Sequence, residues 1–175
     1  MHLKLKGSPI LCMVGFMGCG KSTVGRLLAE RLGWAFVDLD AEIERRAGRP
    51  IPEIFEGDGE PRFRELEQEA LDEQRHLAQH GRARVVALGG GAFAHPRTRE
   101  QLELGGVSIW LDCPVERLWP RVEGLSHRPL ARDHAQFVHL YRERLEHYRM
   151  ADFTVSTDTD QPEQVVEAIL QLRLF

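Results

Sequence analysis

An α/β fold, one parallel sheet covered by helices on both faces, is the architecture the sequence predicts. Three observations carry it. Five short apolar runs alternate with stretches whose apolar residues recur at helical spacing. The first run, Ile10 to Val14, leads into Gly15-Phe16-Met17-Gly18-Cys19-Gly20-Lys21-Ser22-Thr23 and then into a helical pattern at Val24, Leu27, Leu28 and Leu32. A later run, Val85 to Leu88, is unbroken by polar residues, as a central strand buried on both faces requires, and it ends in Gly89-Gly90-Gly91.

The order strand, glycine loop, helix has a chemical reason. A phosphate chain needs several backbone N–H groups turned toward one point, and residues without side chains allow that curvature and close approach. The helix start adds its unpaired N–H groups and the positive end of its dipole. In the spacing Gly15, four residues, Gly20-Lys21-Ser22, Lys21 is expected to reach the β- and γ-phosphates and the Ser22 hydroxyl to ligate magnesium. Lys21 is the only lysine after residue 6, against twenty arginines, so a compact ammonium stands where the chain otherwise uses arginine. Cys19 reads as a small side chain filling space in the loop; the alternative is a thiol whose pKa the helix end lowers.

Gly33 ends the first helix, and Trp34 to Val37 reads as a short buried strand closed by Asp38-Leu39-Asp40. In extended chain, side chains two apart share a face, so the two carboxylates are expected to project together beside the phosphate loop. There they would serve magnesium and a phosphoryl acceptor; the alternative is a helix N-cap at Asp40 and a solvated strand end at Asp38. Ala41 to Ala47 is helical and Gly48 stops it. Ile51 to Phe55 is a short helix, Gly57 to Glu60 a turn, and Pro61 opens a longer helix with Phe63, Leu66, Ala70, Leu71, Leu77 and Ala78 inward. Arg64, near that helix start, opposes the dipole, which points either to an anionic ligand or to an ion pair with Glu60 or Glu67.

The three glycines after Leu88 leave N–H groups bare at the carboxyl end of the sheet, where open α/β sheets bind ligands. His95-Pro96 begins a helix to about Leu104, Val107 to Leu111 is the next strand, and Asp112-Cys113-Pro114 caps the helix after it. Between Arg117 and Arg132, four arginines (Arg117, Arg121, Arg128, Arg132) are interrupted by Gly124-Leu125-Ser126-His127 and Pro129. That is the pattern of a mobile, arginine-bearing lid, or alternatively of a solvated basic loop. Ala135 to Arg149 is helical, Asp152 to Val155 is the last strand, and Pro162 opens a final helix with Val165, Val166, Ile169, Leu170 and Leu172 on one face.

A length of 175 residues suits one domain, and 42% apolar with 29% charged residues is a globular composition. A net charge of -4 argues against nonspecific nucleic-acid binding. Cys12, Cys19 and Cys113 lack paired metal-type spacing and suit a reducing compartment; the histidines share no spacing and are assigned no metal. No run reaches membrane-spanning length, and the first six residues lack the apolar core of a secretory signal, so a cytoplasmic location is expected.

Several separated pieces coincide with one family. They are residues 15–26 (Gly-Phe-Met-Gly-Cys-Gly-Lys-Ser-Thr-Val-Gly-Arg), Asp38-x-Asp40, Ile54-Phe55, Gly59-Glu60-x-x-Phe63-Arg64, Gly89-Gly90-Gly91, Arg128-Pro129-Leu130 and Arg144-x-x-x-Tyr148. In these the chain resembles the shikimate kinases, of the nucleoside monophosphate kinase-like branch of P-loop folds. The resemblance implies a single three-layer P-loop domain over residues 1–175, strand order 2-3-1-4-5, with a substrate-binding region at about 40–70 and a mobile lid at about 117–133.

It also implies magnesium-dependent transfer of the ATP γ-phosphoryl group to the 3-hydroxyl of shikimate, on the route to chorismate and the aromatic amino acids, by a cytoplasmic monomer whose partners are small molecules. Carried over residue by residue, Gly18, Cys19, Gly20, Lys21, Ser22 and Thr23 wrap the ATP phosphates; Ser22 binds magnesium and Asp38 holds it through water. Asp40, Arg64, Gly90 and Arg144 bind shikimate, the two arginines gripping its carboxylate and Asp40 acting as base at the accepting hydroxyl. Lys21 and Arg128 assist catalysis, Arg128 at the nucleotide, with Arg121 also in the lid. The chain departs from the family pattern at Cys19, where alanine or serine is common, and in the lid at Leu118-Trp119-Pro120. Rival readings are a kinase of another small hydroxy acid such as gluconate and a nucleotide-binding switch protein without an acceptor.

Overall fold

The computed structural model describes residues 10–123, 133–172 and 174. Five strands, β1 (Ile10–Val14), β2 (Ala35–Asp38), β3 (Arg84–Ala87), β4 (Val107–Asp112) and β5 (Phe153–Ser156), form one sheet in the order β2-β3-β1-β4-β5 with every neighbouring pair parallel. Parallel neighbours cannot be joined by tight hairpins and need crossovers. Among the described residues these contain helices α1 (Lys21–Leu32), α2 (Leu39–Ala47), α3 (Ile51–Gln79), α4 (Pro96–Glu103), α5 (Val115–Val122) and α6 (His134–Tyr148), and a further helix, α7 (Pro162–Leu170), follows β5.

β1 is the centre of the sheet, and all of its residues are buried. Successive side chains point to opposite faces, so both faces must be covered. One helical layer holds α1, packed on α7 and against β2 and β3; another holds α3, packed on α4 and against β1 and β3. In register, Met13 pairs with Ala87 of β3 on one side and Ile109 of β4 on the other. The chain therefore leaves β1 and β3 side by side, which puts the glycine loop and the triple glycine next to each other.

Four expectations are corrected. The strand expected to be buried at Trp34 to Val37 runs from Ala35 to Asp38 and is only partly covered, with Ala35 exposed, because it lies at the sheet edge. Asp38-Leu39-Asp40 is not extended: Asp38 is the N-cap of α2 and accepts a hydrogen bond from the Ala41 N–H, so Asp40 lies in the first helical turn. The segment expected to turn at residues 57–60 stays helical to Gly59, whose φ of 81° and ψ of 172° break α3 in two. That break needs a residue without Cβ, and Pro61 follows in the first turn of the second segment. Asp112 does not cap α5; Pro114 occupies the cap position without a side-chain bond. Of the expected lid, Arg117 and Arg121 sit on α5, while residues 124–132, Arg128 among them, lie outside the described residues.

Helix α2, which carries Asp40, is braced by Glu42. Its carboxylate accepts from Arg45 (Nε and Nη2, both 2.8 Å) and from Arg46 Nε at 2.7 Å. The Arg45 hydrogen bonds, opposed by desolvation and joined by Arg46, hold the Glu42 carboxyl down at about 2 against an ordinary 4.5. Because the folded value is the depressed one, the contribution is complete above the unfolded pKa and is lost as pH falls through the folded one. Glu42→Gln should lower Tm at pH 7 by about 2 °C, discounting for the exposed partners. The gap from wild type should close as the melts are repeated between pH 4.5 and 2.

Candidate active site

The phosphate loop is the connection from β1 to α1. Gly18 (φ 83°) and Gly20 (φ 98°) hold left-handed backbone, and a Cβ at Gly18 would meet Val122 Cγ1 at 2.9 Å. Gly20 is also the N-cap of α1 and offers no side chain to the first-turn N–H groups, which stay available to an anion. Lys21 folds back over the loop, its Nζ donating to Gly15 O at 2.8 Å and Phe16 O at 3.0 Å. Cys19 is buried, its Sγ filling the space where a Cβ on Gly15 would intrude at 2.8 Å; the space-filling reading fits its position.

Ser22 Oγ donates to Asp38 Oδ2 at 2.6 Å, tying the start of α1 to the end of β2 across the sheet. Among the described residues no three His, Cys, Asp or Glu side chains gather as a metal cage. A hydroxyl beside one carboxylate is nonetheless the donor set that suits magnesium, a hard ion that takes its other oxygens from phosphates and water.

The acceptor side is built on the triple glycine. A Cβ at Gly89 would lie 2.6 Å from Asp40 Oδ1. At Gly90 it would lie 3.2 Å from Arg144 Nη1 and 3.7 Å from the Met17 N of the phosphate loop. At Gly91 it would meet Arg64 Nη2 at 3.2 Å and Arg144 Nη2 at 3.3 Å. Three successive positions without side chains thus admit a carboxylate and two guanidinium groups to one place. Asp40, Arg64, Gly90 and Arg144, expected together from the sequence, are together.

The two alternatives for Arg64 are both visible. It pairs with Glu67 (2.8 Å) and Glu60 (3.2 Å), and it still borders Gly91. Glu67 is 1% exposed; burial pushes its carboxyl up while Arg64 pulls it down. Arg144 lies over the Phe16 ring at 5.5 Å. Two cations at one point, with one deeply buried carboxylate between them and the core, present a positive fork that matches a ligand carboxylate.

A cavity of about 330 Å³ opens on the other side of the loop, bounded by Gly18, Gly20 and Thr23, by Arg121, by the β5–α7 connection at Thr157 and Asp160, and by Pro162 at the start of α7. Val24, Pro162 and Val165 give it an apolar wall, the surface a nucleobase needs beside a phosphate cradle. Sequence reasoning missed Asp160 and Pro162, and gave Tyr148 no role. The Tyr148 hydroxyl donates to Gly90 O at 2.5 Å and fixes the triple-glycine turn, and burial pushes its phenol up. The spacing of Arg144 and Tyr148, one helical turn apart on α6, was the available signal.

The shikimate kinase family model matches residues 17–173. A shikimate kinase from Persephonella marina is 42% identical over 159 residues, 90% of this chain and 94% of that one. One from Synechococcus elongatus is 42% identical over 166 residues, covering 93% and 85% of the two chains. The structure of a shikimate kinase from Acinetobacter baumannii in complex with shikimate superposes with a TM-score of 0.85 at 39% identity, covering 95% of this chain and 93% of that one.

Gly89 lacks a left-handed backbone, so alanine is conformationally allowed there and its methyl meets only the far end of Asp40. Gly89→Ala should therefore fold normally, displace the carboxylate and reduce turnover about 100-fold. Nucleotide affinity, read by calorimetry, should stay at the wild-type value.

Proposed function

The chain belongs to the shikimate kinase family and transfers the γ-phosphoryl group of ATP to a hydroxyl of shikimate; we propose that the residues gathered at Gly89-Gly90-Gly91 and the phosphate loop carry this reaction. The observation that supports the site most directly is the approach of Asp40, Arg64 and Arg144 to three consecutive glycines, the middle one beside the phosphate loop. The working form is one domain, a monomer in the cytoplasm, with its acceptor region at about 40–70; of the lid expected at about 117–133, residues 124–132 lie outside the described residues.

Backbone N–H groups from Gly18 to Thr23 bind the phosphates. Lys21, now on two loop carbonyls, turns its ammonium to the β- and γ-phosphates and offsets charge in the in-line transition state. A magnesium ion held by Ser22, and through water by Asp38, would supply further neutralisation of the polyphosphate. Arg64 and Arg144 grip the shikimate carboxylate, which places the ring over the triple glycine, beside Asp40. Asp40 orients the 3-hydroxyl and takes its proton as the oxygen attacks. Arg128, assigned to the nucleotide from the sequence, lies outside the described residues. No covalent enzyme intermediate is required.

ADP release measured with shikimate, with gluconate and with no acceptor tests the reading. Only shikimate should support turnover; release independent of any acceptor would contradict it. Asp40→Asn should lower kcat by about 100- to 10,000-fold with nucleotide binding retained, and wild-type turnover would remove Asp40 as base. Arg144→Ala should raise the shikimate KM about 10- to 100-fold, the loss of a charge-assisted pair, and leave the ATP KM in place.

A further inference from the structure

Arg121 occupies one wall of the nucleotide cavity and is held there by three acceptors. Its Nη1 donates to Gly18 O in the phosphate loop at 3.2 Å and to Cys113 Sγ at 3.8 Å, and its Nη2 to Asp160 Oδ1 at 3.1 Å. The same Oδ1 accepts from Arg117 Nη2 at 2.5 Å, and Asp158 pairs with Arg117 at 3.3 Å. Asp160 belongs to the opposite wall, the connection from β5 to α7. One carboxylate thus joins α5 to that connection across the mouth of the cavity. A planar guanidinium with its donors engaged in this way keeps one orientation, whereas a free arginine side chain samples many rotamers.

We propose that Asp160 is a positioning residue of the nucleotide site: by bridging Arg117 and Arg121 it holds the Arg121 plane along the cavity wall, ready for the nucleotide. The idea rests on the nucleotide reading of the cavity and goes beyond it, since Asp160 has no part in phosphoryl transfer. Two effects of removing this carboxylate oppose each other. Loss of the brace frees Arg121 and weakens nucleotide binding. Loss of a negative charge near an anionic ligand strengthens it. Asp160 is 83% exposed, so water and salt screen its long-range charge, whereas the bond to Arg121 is a contact. The brace therefore decides the sign.

ADP titrated calorimetrically in the presence of magnesium reads the sign without needing an acceptor. With Asp160→Asn, Kd should rise about three- to fivefold, the upper range for an exposed charge pair, while kcat and the shikimate KM stay within about twofold. Asp160→Glu should bring Kd back toward wild type. On an Arg121→Gln background, Asp160→Asn should add nothing further, because the residue it acts through is gone. An unchanged or lower Kd in Asp160→Asn, or effects that simply add in the double variant, would overturn the proposal. Failure of wild type to show shikimate-dependent ADP release would sink the functional reading alone and leave the calorimetric result standing.

Discussion

The parallel pairing of β1 with β3 is the constraint on which the site depends. Because Met13 stands opposite Ala87, the chain leaves both strands at the same level, and the phosphate loop and the triple glycine emerge as neighbours. Leu88 N donating to Met13 O carries the pairing one step past β3. The two half-sites arise about seventy residues apart in sequence, and only this register brings Gly90 to the edge of the loop at Met17. A slip of one residue would turn the glycines to the other side of the sheet and separate phosphate from acceptor.

Side chains absent at Gly89, Gly90 and Gly91 matter as much as those present. Two arginines sharing one point repel each other, and the fold tolerates them because Glu67 is buried beneath Arg64 and Glu60 stands at its rim. The carboxylates stabilise the ligand-free fork without filling it, since Glu67 approaches from within the second segment of α3, one helical turn from Arg64. On the proposed reading a substrate carboxylate would meet guanidinium groups already in place rather than ones recruited from solvent, which lowers the ordering needed on binding.

The loop and the triple glycine were legible because each is contiguous and has no side-chain freedom to hide its purpose. Asp40 was legible as a residue but not as a position. Leu39 is as acceptable in a strand as in a helix, and only the Asp38 cap settles that the helix starts there. The exposure of β2 could not be read, since strand order is set by crossovers far from Trp34 to Asp38. Tyr148 and Asp160 act through contacts to segments 58 and 39 residues away, so no local pattern announces them. Arg64 was half legible: the ion pairs and the ligand fork, posed as alternatives, coexist because a guanidinium has donors enough for both.

The same donor arithmetic bears on the one lysine after residue 6 in an arginine-rich chain. Lys21 Nζ serves Gly15 O, Phe16 O and Cys19 Sγ from one atom, as the three donors of a compact ammonium allow. A guanidinium spreads its five donors over a rigid planar fork and does not bring them to one point as an ammonium does. On the proposed reading, a carboxylate at Arg64 and Arg144 is matched by the fork, and a phosphate reached through a tight glycine turn by the point charge. The choice of cation at each position follows the geometry of the anion it meets.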